Sequence, residues 1–169
     1  MSVKVKMEGT GEMDQNRADR AEENFRKGFN CCQSVFLAFA DHYGIDEEMA
    51  LKLSCSFGGG LGRLRQVCGA VSGMALVCGL ECGNTDPENQ KAKTENYSRM
   101  RKLASAFEEA QGSIVCAELL GMGIGRKKEE AAPSLRTESY YKKRPCPELV
   151  RFAAELLERE FFAPEESIL

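Results

Sequence analysis

The sequence predicts an all-α fold: a single-domain bundle of about six or seven helices with a glycine-rich interhelical loop. Three observations predict it. Apolar residues recur at helical spacing, as in Ala18, Ala21 and Phe25 or Met100, Leu103, Ala104 and Phe107. Cap residues and glycine stops bracket those runs. No stretch alternates polar and apolar residues as a half-buried strand does. At 169 residues the chain is long enough for one sizeable core and short for two.

Residues 1–13 mix charge and glycine without a period, so a flexible arm is expected there, with the domain spanning 14–169. From Asp14 the pattern turns helical until Gly28. Asn30 opens a second helix, with Gln33 completing an Asn-x-x-Gln variant of the capping box. Val35, Phe36 and Phe39 supply its apolar face, and Gly44 ends it. Asp46 caps a third helix carrying Met49 and Leu53. A fourth starts near Cys68 and closes by Gly83. Asp86-Pro87 reads as the cap and first residue of a fifth helix that runs to about Ala110 and breaks at Gly112. Ser113 caps a short sixth, stopped at Gly121. Residues 122–145 read as an excursion whose Ser139-Tyr140-Tyr141 docks onto the body. Pro147 begins a last helix with Leu149, Val150, Phe152, Ala153 and Leu156 as its apolar positions.

Composition excludes several functions. Lysine and arginine number 23 against 26 aspartates and glutamates, a net charge of −3, which argues against a nucleic-acid surface. No apolar run reaches the roughly 18 residues of a membrane span. The start, MSVKVKMEGTGEM, lacks the apolar centre of a secretory signal, so a cytoplasmic location is expected. His42 stands alone and reads as a surface or capping residue, and no G-x-S-x-G elbow is present for a serine hydrolase.

The chain is organised around Phe57 to Gly73, FGGGLGRLRQVCGAVSG. Gly69 and Gly73 fall on one helix face and let another backbone approach. Cys68 sits at the mouth of that helix, beside a loop with few side chains and the pair Arg63 and Arg65. A thiol at a helix N-terminus near guanidinium groups is favoured as thiolate, which makes Cys68 the expected attacking group. The loop residues Gly58, Gly59 and Gly60 with Arg63 are candidates to bind an anionic group, against the alternative of a tight turn whose arginines face solvent.

Eight cysteines are the compositional outlier, and in a chain expected in a reducing compartment they point to redox chemistry or metal binding. Cys31, Cys68, Cys116 and Cys146 all lie in or beside the first turn of a predicted helix, where unpaired amides stabilise negative charge. Cys55, Cys78 and Cys82 lie toward helix C-terminal ends. Cys32 is ambiguous, about 100° around the helix from Cys31.

The segments FNCCQSVFLAF, FGGGLGR, CGAVSG, TDPE and SIVCAELLG, with the late cysteine of RPCPEL, resemble the redox-active protein family C_GCAxxG_C_C over roughly residues 20–155. Matched to the family's pattern, the four motif cysteines are Cys31, Cys68 (with Gly69, Ala70 and Gly73), Cys116 and Cys146. The resemblance implies a helical bacterial or archaeal protein of unsettled reaction. Cys32 stands where the family usually has alanine, which leaves open whether it or Cys31 is the working thiol.

Three functions fit these residues. In a thiol oxidoreductase or electron-transfer protein, two of the four cysteines cycle between dithiol and disulfide, with Cys68 attacking and Cys31 or Cys116 resolving. In a metal protein, Cys31, Cys68, Cys116 and Cys146 are ligands of zinc or an iron–sulfur cluster. In an assembly module, the Gly69 and Gly73 face makes a helix crossing, for instance in a homodimer. The expected partner of the first two is a redox protein or a small molecule.

Overall fold

A computed structural model describes residues 16–123 and 127–163; the arm expected over 1–13 lies outside them. Within the described residues there are eight α-helices and one isolated β-bridge: α1 (Arg17–Arg26), α2 (Cys31–Ala40), α3 (Glu47–Ser54), α4 (Gly69–Cys82), α5 (Gln90–Gln111), α6 (Cys116–Leu119), α7 (Glu138–Lys143) and α8 (Cys146–Leu157). The all-α reading holds.

Helix α2 is the hub, packing on α1, α3, α4 and α8. Its composition explains this: Cys32, Val35, Phe36, Ala38, Phe39 and Ala40 are all buried, so it is apolar nearly all round. The buried Ser34 hydroxyl is satisfied by donating to the Asn30 carbonyl at 2.7 Å. The capping box forms as expected, with Asn30 accepting from the Gln33 amide and Gln33 accepting from the Asn30 amide, each at 3.0 Å. Phe25, Phe36, Phe39, Phe107 and Met74 fill the core between α1, α2, α4, α5 and α8.

Helix α4 crosses α2 at its two motif glycines. A Cβ on Gly69 would lie 3.0 Å from the Cβ of Cys31 and 3.1 Å from the Cys32 amide; one on Gly73 would lie 2.7 Å from the Cβ of Val35. The glycine face therefore serves a crossing inside the chain.

Four local expectations change. Helix α5 starts at Gln90, capped by Asn89. Asp86 instead accepts from the Glu88 amide at 3.0 Å, so Asp86-Pro87 begins a turn ahead of the helix. Helix α6 begins at Cys116 after Val115, which forms an antiparallel bridge with Val67, while Ser113 accepts from the Val115 amide at 2.9 Å. The 122–145 excursion contains the short helix α7, capped by Thr137. Its docking role is as expected: the Tyr141 hydroxyl donates to the Arg26 carbonyl at 3.1 Å and its ring meets Phe25 edge-on at 6.0 Å. Helix α8 begins at Cys146, one residue before Pro147. No helix among the described residues is long and apolar enough to cross a membrane.

Candidate functional site

All four motif cysteines stand at helix starts: Cys31, Cys116 and Cys146 are the first residues of α2, α6 and α8, and Cys68 is the cap of α4. The fold brings them to one cavity of about 380 Å³, lined by all four together with Gly58, Gly59, Arg63 and Arg65. Each of the four sulfurs is within electrostatic reach of the other three. Chain order alone could not establish this convergence.

Two local devices produce it. The Gly69–Cys31 contact sets the start of α2 against the start of α4. The Val67–Val115 bridge sets Cys68 beside Cys116: the Cys68 amide donates to the Ile114 carbonyl at 2.8 Å, and the Cys116 amide to the Gln66 carbonyl at 2.6 Å. Cys32 is fully buried away from the cavity lining, so of the adjacent pair only Cys31 faces the cavity. Cys55 also lines the cavity but is exposed; Cys78 and Cys82, with sulfurs 3.8 Å apart near the end of α4, do not line it.

The glycine loop winds through a run of left-handed residues. Gly59, Gly60, Leu61, Gly62, Arg63 and Arg65 all have positive φ, and three of them carry side chains that resist it. Gly60 is required by contact as well: a Cβ there would lie 2.7 Å from the Cβ of Cys116. The arginines turn inward. Arg65 is 4% exposed, and its Nη1 approaches the Cys116 sulfur at 3.8 Å. Arg63 and Arg65 share the Glu129 carboxylate, with the Arg63 contact at 3.3 Å. Packing under the 127–130 segment is what makes the solvent-facing alternative fail, a contact too distant in sequence to read locally.

The acidity of the thiols is not distributed as the helix-start argument suggests. The Cys68 thiol is pushed up to about 12 by burial, although the Ala70 and Val71 amides at the start of α4 pull the other way. Desolvation wins because the sulfur is almost fully enclosed. Burial also raises Cys116 against the opposing pull of Arg65, and raises Cys32 to about 12. Cys146 is the exception. The Cys31 thiol is directed at its sulfur and stabilises the thiolate, and Arg144, Arg136 and Arg65 help to offset its burial, so its pKa falls to about 7. Cys31 is correspondingly raised, as the partner that keeps its proton. The expectation that Cys68 carries the most acidic thiol is therefore corrected: Cys146 does. The signal missed in the sequence is Arg144, two residues before Cys146, with Arg136 further upstream.

Among the described residues, no three cysteine, histidine, aspartate or glutamate side chains converge tightly enough to hold a metal ion.

The fold and site define an all-α protein with a cysteine-lined cavity. The chain belongs to the C_GCAxxG_C_C family, described as "Putative redox-active protein (C_GCAxxG_C_C)", whose sequence profile matches residues 29–160. No curated protein and no solved structure matched it.

Proposed function

We propose that the protein is a thiol–disulfide redox protein in which Cys146 is the attacking thiolate and Cys31 the resolving thiol. The observation that carries this reading is that Cys31 and Cys146 open α2 and α8 onto the same cavity, where their interaction lowers the Cys146 thiol and raises that of Cys31. A thiolate whose pKa lies near ambient pH is the effective attacking group in exchange, since it combines high thiolate fraction with retained nucleophilicity. Cys68 and Cys116, held protonated by burial, stand across the cavity as reserve thiols.

The step balances as follows. The Cys146 thiolate attacks one sulfur of a disulfide R–S–S–R, breaking that bond, expelling R–S⁻ and forming Cys146–S–S–R. Cys31 gives its proton to the departing thiolate and attacks the Cys146 sulfur, expelling the second R–S⁻. Two electrons pass from the protein to the substrate, leaving a Cys31–Cys146 disulfide, one R–SH and one R–S⁻.

Mild oxidation followed by peptide mapping tests this. The expected product is a single bridge from the Cys31-Cys32 peptide to the Cys146 peptide, retained in Cys32→Ser and lost in Cys31→Ser and Cys146→Ser. Eight free thiols after oxidation, or a bridge that excludes Cys146, would overturn it.

A further inference from the structure

The cavity beside the thiol pair has a chemistry of its own. Among the described residues its lining carries four arginines, Arg63, Arg65, Arg136 and Arg144, and no aspartate or glutamate. Glu129 serves both Arg63 and Arg65. Among the described residues no carboxylate pairs with the other two: Arg136 donates to the Phe25 and Phe29 carbonyls at 3.4 and 3.1 Å, and Arg144 lies over the Tyr140 ring at 5.0 Å. The buried Arg65 also has an Nη2 with no hydrogen-bond partner among the described residues. A buried guanidinium with an unused donor is costly to leave unsatisfied. Its backbone, like that of Arg63, is held in the left-handed region, a strain that clusters where a side chain must be aimed for a purpose.

Size and access narrow the ligand. Cys68, Cys116 and Cys146 are each at most 8% exposed, which keeps a folded protein's disulfide from reaching them without opening the site. A cavity of about 380 Å³ holds a small molecule. Resting on the dithiol reading above, we infer that the substrate is a low-molecular-weight disulfide bearing carboxylate groups, whose anionic end is taken by Arg65 with Arg63, Arg136 and Arg144 while its sulfur meets Cys146. Arginine suits that task because its planar fork matches a carboxylate.

Three disulfides of similar size test it on the reduced full-length protein: dithiodipropionate (anionic), bis(2-hydroxyethyl) disulfide (neutral) and cystamine (cationic). Each oxidation rate is divided by the rate of the same disulfide with a free small thiol, which removes intrinsic reactivity. The expected normalised order is anionic, neutral, cationic, with the anionic compound about tenfold or more ahead of the neutral one and that lead shrinking as salt rises. In Arg65→Gln the anionic-to-neutral ratio should collapse toward one, a quantity that a change in thiolate fraction does not move. Equal normalised rates in the unmodified protein, with the Cys31–Cys146 bridge formed, would overturn this inference and leave the dithiol reading standing. If none of the three oxidises the pair, the dithiol reading falls, and alkylation of Cys146 by iodoacetate against iodoacetamide decides the anion site alone. A ratio above that of a free thiol sustains anion recognition; an equal or lower ratio ends it.

Discussion

Gly69 touches Cys31: a Cβ on the glycine would lie 3.0 Å from the Cβ of the cysteine, and this contact holds the starts of α2 and α4 together. The same face continues at Gly73, where a Cβ would lie 2.7 Å from that of the β-branched Val35 on the central helix. Gly73→Ala should cost about 1–2 kcal/mol, the overpacking outweighing the helix propensity gained. Gly79 lies on the same helix with nothing within 4 Å of its Cβ position, so Gly79→Ala should stabilise by about 0.5–1 kcal/mol. Denaturant melts of the two variants check the pair; equal effects would mean that α4 does not cross α2 at the glycines.

Asn30 does more than cap α2. Its amide group also donates to the Cys55 carbonyl at 2.8 Å and packs where a Cβ on Gly58 would sit, tying the glycine loop to the helix that begins with Cys31. Asn30→Ala should therefore cost about 1–2 kcal/mol, more than Asn30→Asp, which keeps the cap acceptor and loses only the donor to Cys55. Melting curves of both variants against the unmodified protein give the ordering.

The elements were legible because they depend on neighbours in sequence: the capping box at Asn30 and Gln33, the stops at Gly28, Gly44 and Gly112, and the helical face of α8 all form as the pattern implies. The site was half legible. The helix-start rule picked out four of the five cysteines that line the cavity and passed over Cys55, which lies at the end of α3. It misjudged their acidity because burial is a property of the assembled core: the amides at the start of α4 do favour a Cys68 thiolate, but enclosure outweighs them. The inward turn of Arg65 depends on Glu129, 64 residues away, and local reading has no access to such a pairing. Asp86-Pro87 misled for a different reason, because the signal for a helix cap is also the signal for an Asx turn.

Stability should show a maximum in mildly alkaline solution. Cys146 has a depressed folded pKa, about 7 against an ordinary 9, so between those values the folded chain has released a proton that the unfolded chain still holds, and its contribution to stability rises with pH. Above about pH 8 the sign reverses, because five thiols oppose one. Cys31, Cys32, Cys68, Cys78 and Cys116 are all raised, so the unfolded chain ionises there while the folded one does not, and stability falls. Denaturation midpoints under reducing, oxygen-free conditions at about pH 7, 8 and 10 measure both limbs. Cys146→Ser should remove the rise and keep the fall. A midpoint that falls monotonically from pH 7 in the unmodified protein would count against the Cys146 thiolate.

The Cys31–Cys146 relationship also fixes how reactivity should titrate. Alkylation of Cys146, followed by mass spectrometry at the peptide, should rise with a midpoint near pH 7, well below an ordinary thiol. The main cause is the thiol proton that Cys31 directs at it, with the guanidinium groups of Arg144, Arg136 and Arg65 countering burial. Cys31→Ala removes the donor and leaves the arginines, so the midpoint should move up toward the ordinary thiol range, and the rate at pH 7 should fall severalfold. Cys31→Ser supplies a hydroxyl donor in the same place and should retain much of the depression while abolishing disulfide formation. Cys32→Ala, one residue away but facing the core, should destabilise the fold without moving the midpoint. A midpoint that ignored Cys31→Ala and followed only Arg144→Gln would assign the acidity to the arginine field alone, and Cys31 would then be a neighbour of the reactive thiol and no longer its proton donor.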